Sequence, residues 1–247
     1  MGSSRNDELD LKMNFCIIGD SFGNYPVGYY PPEGNRPAVN VCLEQKSHWV
    51  VKNLSAMGAS NIGQLRMLKH YIEETTETID YIIWFHTEPA RSFNEFISLV
   101  NSPDKEYDRA FGKERYPDIK LTSVQDDIDY IRRRDYDFAQ EIYEQTNIPF
   151  IVVGAAGRLG DMSKYSFPIF SVENWTNLIT DNCYVTHVAA MNEYKDSRYD
   201  KGEFLDVIEK LEKQERSRIN NPDWPDRYHL SAKHYCPLVN DILLEIL

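Results

Sequence analysis

Residues 13–23 read MNFCIIGDSFG, and this stretch decides the fold. Met13 to Ile18 form a short apolar run that stops at Gly19-Asp20-Ser21, as a buried strand does before a tight turn. Comparable runs recur at Ile79–Phe85 (IDYIIWF) and Pro149–Val153 (PFIVV), each followed by small or loop-forming residues. Runs that are apolar throughout belong to strands covered on both faces, so three central parallel strands are expected.

Helix-like segments lie between and after these runs: Ser47–Leu54, Ile62–Thr75 and Val124–Gln145, the last with Ile128, Ile131, Phe138 and Ile142 at helical spacing. Gly202–Arg218 reads as a charged amphipathic helix. LVNDILLEIL (238–247) reads as a closing helix, with Pro237 near its first turn. Strands alternating with helices imply an α/β class: a three-layer α/β/α sandwich around a mainly parallel, flavodoxin-like sheet. The expected organisation is a flexible segment over residues 1–12 and one domain over 13–247, carrying a long loop insertion at about 101–122.

Composition narrows the function. The chain has 247 residues, enough for one sizeable core, and its 27 Lys+Arg against 39 Asp+Glu give a net charge of −12. A surface that acidic repels a phosphate backbone, so nucleic acid is not an expected partner. The opening MGSSRNDELDLK lacks the apolar run of a signal peptide, and no stretch is long and apolar enough to span a bilayer. A soluble chain without membrane contact is expected. Four scattered cysteines, Cys16, Cys42, Cys183 and Cys236, show no metal-site or disulfide-framework spacing and read as reduced, packed thiols. No His/Asp/Glu cluster has metal-ligand spacing. Tyrosine-rich polar stretches, YPVGYYPPEG (25–34) and EYDRAFGKERYPD (106–118), suit sugar or partner surfaces, or simply anchor long loops.

The chemistry concentrates at two places. Ser21 follows the first strand directly, between Gly19 and Gly23, at the carboxyl edge where open α/β sheets bind ligands. A serine hydroxyl needs a neighbouring base, normally a histidine oriented by a carboxylate. Near the other end stands Asp226-Arg227-Tyr228-His229, where the carboxylate can fix the imidazole tautomer that leaves the other ring nitrogen free for a hydroxyl. Asp20, beside Ser21, reads as a residue that hydrogen-bonds the turn. GAAGRLGD (154–161) lacks nucleotide-loop spacing and reads as a loop at the site's edge.

Gly-Asp-Ser after strand one and Asp-x-x-His before the last helix resemble the first and last blocks of the SGNH (GDSL-type) hydrolase family, across nearly the whole chain. NLSAMGASN (53–61) is similar to the family's glycine-bearing second block. The resemblance implies an esterase that uses no cofactor. In it Ser21 attacks the ester carbonyl, His229 shuttles the proton, Asp226 orients His229, and the N–H groups of Ser21 and Gly58 form the oxyanion hole. It also implies a small ester or an acylated glycan as substrate.

The third block departs from the pattern. Where the family carries Gly-x-Asn-Asp, this chain reads IIWFHTEPAR from Ile82, without asparagine and with Glu88 nearest in position. Loss of one oxyanion donor lowers rates by about a hundred- to a thousandfold. Arg91, held by Glu88, is a candidate substitute, and a structural Glu88–Arg91 pair is the equal alternative. His86, ending the middle strand, is a further candidate for substrate or oxyanion contact. Thr-Glu-Pro-x-Arg resembles divergent family members from phage genomes, so the cytoplasmic setting expected without a signal peptide becomes a virion-associated one if the chain is phage-encoded. The alternative function is a weak or inactive SGNH scaffold that binds glycan or serves structurally in a virion.

Overall fold

A computed structural model describes residues 12–20, 23, 38–44, 49–56, 59–87, 124–154, 159–172, 237, 238, 240 and 242. Within these the element order is β1 (Asn14–Gly19), α1 (Ala38–Glu44), β2 (Val50–Asn53), α2 (Asn61–Glu74), β3 (Tyr81–His86), α3 (Val124–Thr146), β4 (Phe150–Gly154) and β5 (Pro168–Val172). The five strands form one sheet in the order β2-β1-β3-β4-β5, every pair parallel. This is the doubly wound flavodoxin-like order, in which the chain reverses its direction of winding between β1 and β3.

Period-two alternation sends each central strand to both faces. Cys16, Ile18, Ile82, Trp84, Phe150 and Val152 pack against Leu65 and Leu68 of α2 and Tyr136, Ala139 and Ile142 of α3. Phe15, Ile17, Ile83, Phe85, Ile151 and Val153 pack on the other face, against Val39 and Leu43 of α1 and the helical residues Leu238 and Ile242. Both faces are covered, which gives the three-layer α/β/α architecture and explains why these strands read as continuous apolar runs.

The three runs form the centre of the sheet, as β1, β3 and β4. Two edge strands join them. Ser47–Leu54 was expected to be helical, but Val50–Asn53 is strand β2. The reason is long-range: β1 leaves one edge open, and the β2 backbone fills it, with Val50 N–H donating to Met13 O (2.9 Å) and Leu54 N–H to Ile17 O (2.8 Å). Residues of β2 alternate exposed and half-buried, and Trp49 before it packs on Phe15 with ring centroids 5.2 Å apart. At the other edge, β5 opens on Pro168, a position where the missing N–H is tolerated.

Local chemistry sets the helix ends. Ser60 caps α2, its Oγ accepting from Gly63 N–H at 3.2 Å. Asn147, left-handed at φ 56°, closes α3 with its N–H on Tyr143 O. Asp80 ties the starts of β1 and β3 by accepting from both Asn14 N–H and Asn14 Nδ2, at 2.8 and 2.9 Å.

The thiols divide. Cys16 is free and buried, its pKa pushed up to about 12 by burial, with Lys52 opposing. Cys42 is disulfide-bonded, its partner lying outside the described residues, which corrects the expectation of reduced thiols. Sequence spacing could not reveal that bond, because no cysteine lies near Cys42 in the chain. Among the described residues no helix is long and apolar enough to cross a membrane. Residues 1–11 of the proposed N-terminal segment, the 101–122 insertion and the Gly202–Arg218 helix lie outside the described residues.

Candidate active site

Parallel strands joined by helical crossovers present their carboxyl ends along one edge, and the crevice at the switch point lies between the ends of β1 and β3. There β1 finishes on Gly19, at φ +146°. A Cβ at this position would lie 2.6 Å from Phe85 Cβ and 2.7 Å from Phe85 O, so the backbone of β1 runs against β3 as only glycine allows. Gly19 N–H donates to Gln64 Oε1 of α2 at 3.1 Å, and Gly19 O accepts from Ala56 N–H at 3.1 Å. The turn is thereby tied to both α2 and the segment that precedes it.

Asp20 and Thr87, both buried, follow β1 and β3. Asp20 reaches further than its own turn: its Oδ2 accepts from Thr87 Oγ1 at 2.8 Å across the switch point. Asn61, the first residue of α2, brackets Thr87. Its Oδ1 accepts from Thr87 N–H at 2.9 Å, and its Nδ2 donates to Thr87 O at 3.0 Å. These two bonds fix the amide's orientation, so the same Nδ2 faces His86 Nε2, at 3.2 Å, as a donor. Nε2 then accepts, and the imidazole carries its proton on Nδ1. Among the described residues His86 Nδ1 has no hydrogen-bond partner.

His86 is wholly buried, its ring 5.1 Å from Trp84 and 5.5 Å from Tyr136, centroid to centroid. Burial, together with the nearby charge of Arg132, holds its pKa down to about 3, so it is neutral near pH 7. This candidate contact residue therefore lies beneath the edge, among aromatic rings, and not on the surface. Tyr136 also lines a groove of about 470 Å³ between α3 and the segment after β4.

A second cluster lies around Gly23. A Cβ there would come 2.3 Å from Ser55 Oγ and 3.2 Å from Phe85 Cδ2. Asn53 Nδ2 donates to Gly23 O and to Asn40 Oδ1, both at 2.7 Å, and Asn53 Oδ1 accepts from Ser55 N–H at 2.9 Å. Residues on either side of Ser21, and the start of the Asn53–Asn61 segment, thus share the carboxyl end of β1.

Ser21, Gly58, Glu88, Arg91, Asp226 and His229 lie outside the described residues. Of the sequence candidates, the structure describes His86. It adds Asn61, Thr87 and Gln64, which sequence reasoning passed over. No local signal marks Asn61: directly after Ser60 it reads like any short polar residue at a helix start, whereas its side chain serves a partner 26 residues away.

Fold and edge together define a doubly wound parallel α/β protein with a glycine-enforced turn at its switch point. No protein-family model matches the chain, and no curated protein matches it in sequence. Among solved structures it is similar to a member of the lipolytic protein G-D-S-L family from Veillonella parvula, at 14% identity and TM-score 0.43, covering 94% of this chain and 97% of that one. It is also similar to an acetylxylan esterase from Geobacillus stearothermophilus, at 17% identity and TM-score 0.40, covering 95% and 94%. Against a Bacillus subtilis protein, at 14% identity and TM-score 0.40, 96% of this chain matches but spans only 56% of that one. Likeness this loose carries no argument about activity.

Proposed function

We propose that this chain is a serine-dependent ester hydrolase of the SGNH type, acting on O-acyl or O-acetyl groups of small esters or acylated carbohydrate. Ser21 Oγ attacks the ester carbonyl carbon and passes its proton to His229, which Asp226 orients. The tetrahedral oxyanion is held by the N–H groups of Ser21 and Gly58. Collapse breaks the ester C–O bond, His229 returns the proton to the departing alcohol, and water then releases the acid from acyl-Ser21 by the same route.

The observation that carries the reading is the turn at Gly19-Asp20. It stands at the switch point, its φ and its approach to Phe85 exclude a side chain, and Gly19 O accepts from Ala56, two residues before Gly58. The turn itself stands at the edge where doubly wound sheets bind ligands. The N-terminus of α2 also opens at this edge, favouring developing negative charge.

Hydrolysis of p-nitrophenyl acetate tests it. Ser21→Ala is expected to lower kcat by at least about a thousandfold; unchanged turnover rejects the reading. The second reading, a scaffold that binds glycan or serves structurally, is favoured by the absence of asparagine from IIWFHTEPAR. Turnover indifferent to Ser21→Ala, with binding retained on a glycan array, supports that reading instead.

A further inference from the structure

The sheet ladder joins β1 to β3 as far as Gly19 and Phe85. Past that pair β1 ends while β3 runs one residue further beside β4, His86 opposite Gly154, and buried polar groups take over between the two: Asp20 to the Thr87 hydroxyl, Thr87's backbone to Asn61 at both N–H and C=O, and Asn61 to His86. Asn61, His86, Thr87 and Asp20 are all at most about 1% exposed.

We propose that Asn61 and His86 are positioning residues, a buried lock that fixes the backbone leaving β3 against the Gly19-Asp20 turn and so sets the geometry around Ser21. The proposal rests on the serine-hydrolase reading. Neither side chain is open to substrate, so neither acts by contact. A buried polar group that loses its partner is strongly penalised, which leaves the lock one favoured arrangement. Without the Asn61 amide, Thr87 N–H and C=O lose the two bonds that Asn61 makes to them, and the Thr87–Asp20 bond loses that support. A displacement of about 1 Å near reacting atoms lowers rates by about a hundredfold.

The test is steady-state hydrolysis of p-nitrophenyl acetate by the full chain. Asn61→Ala and His86→Phe are each expected to lower kcat about ten- to a hundredfold with KM changed less than about threefold. The double variant is expected to be no slower than the slower single, because both break one unit. His86→Gln, which retains an acceptor, is expected to recover most of the turnover lost in His86→Phe. If Asn61→Ala does not fold by circular dichroism, His86→Phe carries the test, since a phenyl ring suits the site between Trp84 and Tyr136. Wild-type kcat in the folded single variants, or losses that multiply in the double, overturns the lock. A raised KM at unchanged kcat in His86→Phe overturns it in favour of substrate contact. Failure of the underlying reading appears separately, as wild-type turnover that Ser21→Ala does not diminish.

Discussion

At Gly19 two independent constraints coincide. The φ of +146° disfavours any L side chain, and the space a Cβ needs is occupied by Phe85 backbone and side chain. Gly19→Ala is therefore expected to destabilise the fold by at least about 3 kcal/mol, measured by urea unfolding; a loss under about 1 kcal/mol contradicts the close approach. His86 makes a prediction of opposite character. Its folded pKa of about 3 lies below that of an unfolded histidine, near 6.5, so between these values the unfolded chain binds a proton that the folded chain refuses. Stability contributed by keeping the ring neutral is present above about pH 6.5 and lost as pH falls toward about 3. Between about pH 5 and 6, His86→Gln is expected to flatten the rise of stability with pH by up to about 1.4 kcal/mol per unit. An unaltered slope means that the ring is solvated. The glycine turn was legible in the sequence because a strand must end somewhere and Gly-Asp-Ser marks it. Asn61 and Thr87 were not, since their bonds bridge 26 and 67 residues and leave no local pattern.

Among the elements, the helices at Ile62–Thr75 and Val124–Gln145 and the three strands buried on both faces read correctly, because apolar spacing is a local signal; α1 at Ala38–Glu44 was not anticipated. Ser60, the cap of α2, is a local contribution of the same kind that the structure adds. Ser60→Ala removes the acceptor for Gly63 N–H and is expected to lower stability by about 1 kcal/mol, seen as a shift of the urea midpoint at constant m-value. No shift places the cap's contribution elsewhere. Edge strands were not legible. β2 is four residues long with polar Lys52 and Asn53, and β5 begins with proline; each is a strand because a neighbour offers an open ladder. Such tertiary selection overrides propensity in short segments. Asn53 gains from it, since its strand position brings its side chain to Gly23 O and Asn40.

For the whole molecule, the strand order turns separate motifs into a single place. Gly-Asp-Ser, the Asn53–Asn61 segment and the end of β3 are far apart in sequence, and the β1–β3 switch point gathers the described residues beside them at one edge. Asp226-x-x-His229 was legible as a motif but not as a location, because placing an imidazole beside a hydroxyl about 200 residues away needs the packed chain. The central claim is that Ser21 is an activated nucleophile. Reaction of the folded protein with a fluorophosphonate, followed by peptide mass spectrometry, tests it most directly. A single adduct on Ser21, abolished in His229→Ala, is the expected result; folded protein that stays unlabelled, or carries its adduct elsewhere, contradicts the claim.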